Sequence, residues 1–324
     1  VIGNPYDAAV RVRRRVILGL AGFGLWTASL LGGCGGDAPT RPEAGADAAK
    51  DPSSSAVRPA TDQSPDLSPR IVSLSPAISR TLVDLGMGDA IVARTPYCDS
   101  VPASVPVAGT HLDFDAERLV SVAPTHLLVQ APAQGVDPAL TSLATERGIA
   151  LKAWRLERVS EVAALVRALP AAIGASSDAR LVAKADATAD DLDALAARAA
   201  APSQGGLRAL LLVTTDPLGA AGADTFLDDV ARSLGWRNAV TQRGYPSLSH
   251  EDLVRLAPDL IVVVRDTAER DDATLRAQVL ASDELVARYA GVFHVVRDPD
   301  ALLPSSALLG VAKKLGAIAS EPPR

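Results

Sequence analysis

Residues 114–130 and 248–264 are two copies of one pattern, and this duplication limits the folds open to the chain more than any other feature. The run FDAERLVSVAPTHLLVQ aligns without a gap on LSHEDLVRLAPDLIVVV. Six positions are identical, including Glu117/Glu251 and Ala123-Pro124/Ala257-Pro258. Each copy reads as a short helix capped by Asp115 or Ser249, stopped before a proline, and followed by a buried strand. A second echo, Leu85-Gly86 before Asp89-Ala90-Ile91, matches Leu234-Gly235 before Asn238-Ala239-Val240. Both echoes occur in the same order, as in a duplicated lobe.

The segments around them complete each lobe. In the first half, strands are predicted at 70–74, 90–93, 126–130 and 149–154, with helices near 77–86, 115–122, 138–147 and 158–169. In the second half, strands are predicted at 207–213, 260–264 and 292–296, with helices near 224–234, 250–256, 272–281 and 305–319. Alternation of this kind predicts an α/β protein with mostly parallel sheets. Between the halves, Ser176–Ala201 holds neither proline nor glycine. Leu181, Ala185, Thr188, Leu192, Leu195 and Ala199 recur there at helical spacing, which predicts one amphipathic helix roughly 35–40 Å long. The expected organisation is an N-terminal lobe at 70–174, an interlobe helix at 175–201 and a C-terminal lobe at 202–324, with a ligand cleft between the lobes.

Residues 1–69 read differently. Arg11, Arg13, Arg14 and Arg15 precede a charge-free apolar run from Val16 to Leu31, shorter than the roughly 20 residues of a membrane-spanning helix. Leu31-Gly32-Gly33-Cys34 follows and resembles the lipobox of bacterial lipoprotein precursors. That resemblance implies a signal peptide over 1–33, lipidation of Cys34 and anchoring to the membrane by acyl chains. Arg13-Arg14-Arg15-Val16-Ile17 fits a loose twin-arginine export pattern and equally a plain basic leader. Residues 34–69, rich in Ala, Pro, Asp, Ser and Gly, have the composition of a disordered tether. Residues 1–33 carry a net charge of +3, so their removal takes the formal charge from −6 to about −9, which argues against nucleic acid as a partner. Once Cys34 is lipidated, Cys98 is the one cysteine left, so no intramolecular disulfide is expected.

Several carriers over about 70–320 together resemble the helical-backbone class of periplasmic substrate-binding proteins, the receptors for vitamin B12, ferric siderophores and haem. They are Arg70-Ile71-Val72-Ser73-Leu74-Ser75-Pro76-Ala77, Thr95-Pro96-Tyr97-Cys98-Asp99, the Glu117-Arg118-Leu119 to Ala123-Pro124 block and the single linking helix. The resemblance implies a monomeric lipoprotein of the bacterial cell envelope, with no cofactor of its own, that passes its ligand to an ABC permease. Carried over by position, the first lobe lines its cleft with Ser75, Pro76, Tyr97, His111 and Gln130. The second lobe contributes Asp216, Leu218, Tyr245 and Arg265, on strand ends and the loops after them. Family members present an acidic residue from each lobe to the permease. Here the first-lobe position is Arg80, which leaves Asp84 as the substitute; the second-lobe residue is Asp229 or its neighbour Asp228. The departure at Arg80 leaves room for a tethered sensor or scaffold that keeps the fold without transport.

Residue chemistry refines the ligand. Tyr97 is one of eight aromatic residues after position 33, and its ring suits stacking on a corrin or porphyrin face, ligation of haem iron, or ordinary packing. Cys98 reads as an inert thiol more readily than as a soft ligand. His126 and His294 lie in strands and His250 at a helix start, so His111 is the histidine expected at the cleft. Arg265 and Arg297 end strands and are placed either to meet propionates or phosphates or to be solvated. A bare Zn²⁺ needs several converging ligands, and no such cluster is visible. There is also no phosphate loop or nucleophile elbow, so an enzyme is the minor reading. A pre-chelated metal is therefore expected, with a corrinoid first and haem or a ferric siderophore next.

Overall fold

Apolar alternation along the strands sets the layers of the molecule, and a computed structural model describes them over residues 68–201, 205–266 and 270–319. The signal-peptide, Cys34 lipidation and tether expectations lie outside the described residues. In the first lobe β1 (Ile71–Ser73), β2 (Ile91–Arg94), β3 (His126–Gln130) and β4 (Ala150–Trp154) pair in parallel in the order β2-β1-β3-β4. The second lobe holds β5 (Arg208–Thr215), β6 (Leu218–Ala220), β7 (Arg237–Asn238), β8 (Ser247–Leu248), β9 (Leu260–Arg265) and β10 (Phe293–Arg297). They form a separate sheet in the order β10-β9-β5-β6-β8, with β7 also on β5. The α/β fold with two mostly parallel sheets is as the sequence predicts.

The duplication is visible in the pairing. Strands β7, β5, β9 and β10 repeat the order of β2, β1, β3 and β4, all in parallel. The helices preceding β3 and β9, α2 (Ala116–Ser121) and α7 (His250–Leu256), begin on side-chain caps from Asp115 and Ser249. Each is followed by an alanine at φ 43°, Ala123 or Ala257. An L-residue enters this left-handed region at a cost of roughly 1–2 kcal/mol. Both alanines precede a proline, which disfavours the right-handed helical conformation, so the same stop is built twice. Gly86 and Gly235, at φ 89° and 80°, likewise close α1 (Pro76–Leu85) and α6 (Phe226–Ser233).

Because strand side chains alternate faces, each sheet packs on both sides. On the outer face of the first sheet, Val72, Leu74, Leu127 and Val129 pack with Leu119 of α2 and with Leu140 and Ala144 of α3 (Pro138–Glu146). On the outer face of the second, Leu210, Leu212, Ile261 and Val263 pack with Leu253 of α7. Leu275 and Val279 of α8 (Asp272–Val279) and Leu285 and Tyr289 of α9 (Asp283–Tyr289) complete that layer. The inner faces, Ile71 and Leu128 on one side and Leu211, Val213, Val262 and Val264 on the other, belong to one continuous core. That core is filled by α1, α4 (Val159–Ala172), α5 (Ala179–Ala200), α6 and α10 (Leu308–Ala319).

The linking helix is α5. Asp178 caps it by accepting from the amides of Arg180 and Leu181, and its 22 residues extend about 33 Å. Its buried stripe is Leu181, Ala185, Ala189, Leu192, Leu195 and Ala199. Ala189 replaces the anticipated Thr188, whose hydroxyl instead donates to the Lys184 carbonyl. Strands β6, β7 and β8 and helix α9 are not among the elements predicted from sequence. The last is a seven-residue helix that starts on Ser282, with Leu285 and Tyr289 buried.

Candidate functional site at the strand ends

Parallel pairing brings the carboxyl ends of β2, β1, β3 and β4 to one edge of the first sheet, where open α/β sheets bind ligands. Val107 bridges Arg94 in parallel and extends this edge outward beyond β2. Across the edge, in order, stand His111 in the loop after the bridge, Tyr97 after β2, the Ser75-Pro76 turn after β1, and Gln130 at the end of β3. Trp154, which the sequence reading placed in a strand but not in the site, ends β4 in register with Gln130. Ser75 caps α1 and donates its Oγ hydrogen to Gln130 Oε1 at 3.1 Å, bridging the crevice between β1 and β3 where the strand order reverses.

The loop carrying His111 is built tightly. Gly109 pairs with Phe114 and has φ 95°, and a Cβ on it would lie 2.3 Å from the Asp113 carbonyl oxygen. The Thr110 amide donates to that carbonyl, and Thr110 Oγ1 accepts from the amides of Leu112 and Asp113. His111 is half-buried beside Leu112, which is 66% exposed.

Beneath Tyr97 runs a buried polar chain. Cys98 Sγ lies 3.1 Å from Ser79 Oγ and 3.3 Å from Thr95 Oγ1; Ser79 Oγ donates to Ser73 Oγ, which donates to the Ser75 carbonyl. Burial pushes the Cys98 thiol pKa up, more than its hydrogen bonds to Ser79 and Thr95 pull it down. Cys98 thus pins the half-buried Tyr97 segment to α1. Among the described residues, no three His, Cys, Asp or Glu side chains converge as a metal site would require.

The second lobe shapes its edge otherwise. Ile71 pairs with His126 as Ala209 pairs with Leu260, so Ser73 and Leu211 stand at equivalent levels. Beyond Leu211, β5 continues four residues to Thr215, turns at Asp216-Pro217 and returns as β6 until the Ala221 amide bonds the Leu211 carbonyl. This hairpin rises about 13 Å above the equivalent edge of the first lobe. Asp216 is exposed at its tip. Leu218 does not line a cleft: it is 3% exposed, pairs with Leu248 and sits in the outer core with Leu210 and Leu212. Arg265 ends β9, half-buried, and its carbonyl accepts from the Asp298 amide. Tyr245 is half-buried against the shared core, and burial together with the nearby charge of Glu157 raises its phenol pKa. It remains a neutral phenol at the junction between the lobes.

Neither expected docking acid is an unengaged surface carboxylate. Asp84 pairs with Arg80 at 3.1 Å and accepts from Ser306 Oγ at 2.6 Å. Asp229 corrects the sequence reading most sharply, because its side chain is 5% exposed and held by Arg158. Arg158 Nε donates to Oδ2 at 2.9 Å, Nη2 to Oδ1, and the Val159 amide adds a bond to Oδ2 at 3.0 Å. Bonding to Asp229 raises the Arg158 pKa still further. Asp228 is buried as well and accepts from Asn238 Nδ2, and burial raises its pKa. Arg158 stands at a helix start, without the Ser, Thr, Asn or Asp that marks a cap, and is not among the residues predicted from sequence.

Comparison with known proteins agrees with this geometry. The profile of the periplasmic binding protein family matches residues 71–292. A cobalamin-binding protein of Halobacterium salinarum is 28% identical over 222 residues, 66% of this chain and 58% of that protein, so the chain spans well under two thirds of its curated relative. Among solved structures, the periplasmic haem-binding protein BhuT in complex with two haems superposes with a TM-score of 0.63 at 21% identity, covering 78% of this chain and 98% of that one. The vitamin B12 binding protein BtuF of Vibrio cholerae gives 0.57 at 16% identity, covering 78% and 96%. At those identities the solved structures speak to the fold.

Proposed function

From the premise that this chain belongs to the periplasmic binding protein family, a family of binding proteins rather than enzymes, we propose that it is the substrate-binding lipoprotein of an ABC importer. Its ligand is a metal-containing macrocycle or chelate, with a corrinoid first. Recognition involves no chemistry: the ligand lies between the strand-end edges of the two lobes, held by stacking and van der Waals contact, with polar contacts at its rim. The observation that carries the proposal is the row His111, Tyr97, Ser75-Pro76, Gln130 and Trp154 along one sheet edge, two of them aromatic, in a chain whose curated relative is a cobalamin-binding protein. Asp216, Tyr245 and Arg265 are the second-lobe contributors under this proposal, and Leu218 is not among them.

Haem is the second reading, favoured by the likeness to BhuT, and a ferric siderophore the third. The ion pairing of Asp84 and Asp229 supports a permease contact through other groups, or a sensor role without transport. Titration of the protein with cobalamin, haemin and ferric siderophores, followed by absorbance, decides among them. Saturable binding of cobalamin is expected. Saturation by haemin alone moves the assignment to haem, and binding of none supports the sensor.

A further inference from the structure

The internal repeat relates two ion pairs that cross from lobe to lobe. Counting back from Gly86 and Gly235, the glycines that close α1 and α6, the sixth residue is Arg80 in the first lobe and Asp229 in the second. Their partners correspond too. Asp229 meets Arg158, in the segment after β4, and Arg80 meets Asp300, in the segment after β10, the repeat counterpart of β4. Each pair thus joins the helix after the first strand of one lobe to the segment after the last strand of the other. The polarity is reversed between the two helices, with the result that the first lobe supplies the cation both times and the second lobe the anion.

We infer that Arg158–Asp229 and Arg80–Asp300 are paired struts that set the angle between the lobes and so the width of the cleft. The inference rests on the cleft reading for its functional meaning, but the struts themselves are read from geometry. Around Arg158, Nη1 donates to Asp224 Oδ1 at 2.7 Å, and Arg243 Nε reaches Asp224 Oδ2 at 2.8 Å. With the bidentate Asp229 contact and the Val159 amide, this junction admits one orientation. The opposite strut is looser. Arg80 Nε lies 3.5 Å from Asp300 Oδ2 and is buried without a hydrogen bond, while Asp84 and Thr81 fasten α1 to Ser306. With one strut tight and the other loose, Arg158 is the pivot and Arg80 the side that gives.

The test is the interlobe distance distribution by pulsed electron paramagnetic resonance. Spin labels are carried on unnatural amino acids at exposed Glu146 of α3 and Glu284 of α9, so that the cysteines stay untouched. A single narrow distribution is expected for the parent protein. Arg158→Met should raise the population outside the main peak roughly tenfold, and Arg158→Lys should restore part of it. Arg80→Met and Asp300→Asn, each folded by circular dichroism, should raise it about twofold. If Arg158→Met does not fold, the other three variants carry the test. A distribution unchanged in every folded variant overturns the inference. No ligand is present in the measurement, so failure of cobalamin to bind leaves this result standing.

Discussion

The two lobes repeat one strand order and one pair of helix stops, yet they finish their upper edges in opposite ways. In the first lobe β1 ends after three residues, and Ser75 at once caps a helix, leaving a low edge bridged by Ser75 and Gln130. In the second, β5 runs on and folds back through β6, raising Asp216 above its sheet and turning Leu218 into the core. The duplicated scaffold is carried by caps, prolines and alternating apolar faces, which tolerate substitution. The edges are carried by individual side chains and diverge freely. Scaffold and strand-end edge are therefore separable parts of each lobe.

The sharpest way to break the equivalence is at the repeat-related pair Asp229 and Arg80. Asp229→Ala leaves Arg158 half-buried without its bidentate partner and should lower unfolding stability in urea by about 2–3 kcal/mol. Arg80→Ala, at the longer and more exposed contact, should cost less than about 1 kcal/mol. Equal losses would mean that the two struts carry the same load. Next in size, Tyr97→Ala on the low edge should weaken ligand binding roughly tenfold, whereas Asp216→Ala at the hairpin tip should change it by less than about threefold. The reverse order in an absorbance titration would move recognition to the second lobe.

A smaller effect tests the scaffold itself. Ala123→Gly and Ala257→Gly should each raise the stability by about 0.5–1 kcal/mol, because glycine occupies φ 43° without the Cβ penalty. A gain at only one site would show that the stops differ in strain. The smallest concerns pH. Burial raises the folded-state pKa of Asp228 above 3.8, so between 3.8 and that raised value the native state holds more proton than the unfolded chain. Stability from this group is greatest below 3.8 and falls as pH rises through the window. Asp228→Asn should flatten that part of the urea midpoint against pH profile, and an unaltered slope would assign the fall to another carboxyl.

How much was legible follows from what each signal depends on. Strand β3, at His126–Gln130, and α7, at His250–Leu256, coincide with their predicted spans, because alternation, cap and proline all agree locally. The hairpin of β5 and β6 was missed because β6 has three residues and its pairing with β8 is long-range. Helix α9 was missed although Ser282-Asp283-Glu284 is a start signal, because no glycine or proline separates it from α8. At the candidate site, strand-end positions such as that of Gln130 are legible from the alternation. The fates of Asp229 and Leu218 are not, since burial by a partner remote in sequence leaves no local mark.

The thiol of Cys98 has a chemical consequence outside recognition. Its sulfur is enclosed by Ser79 and Thr95, and its raised pKa leaves little thiolate at neutral pH. Because thiolate is the nucleophile that attacks peroxide and disulfides, this sulfur should escape sulfenylation and mixed-disulfide formation even in an oxidising compartment. Two copies of the protein then have no route through this residue to a covalent dimer.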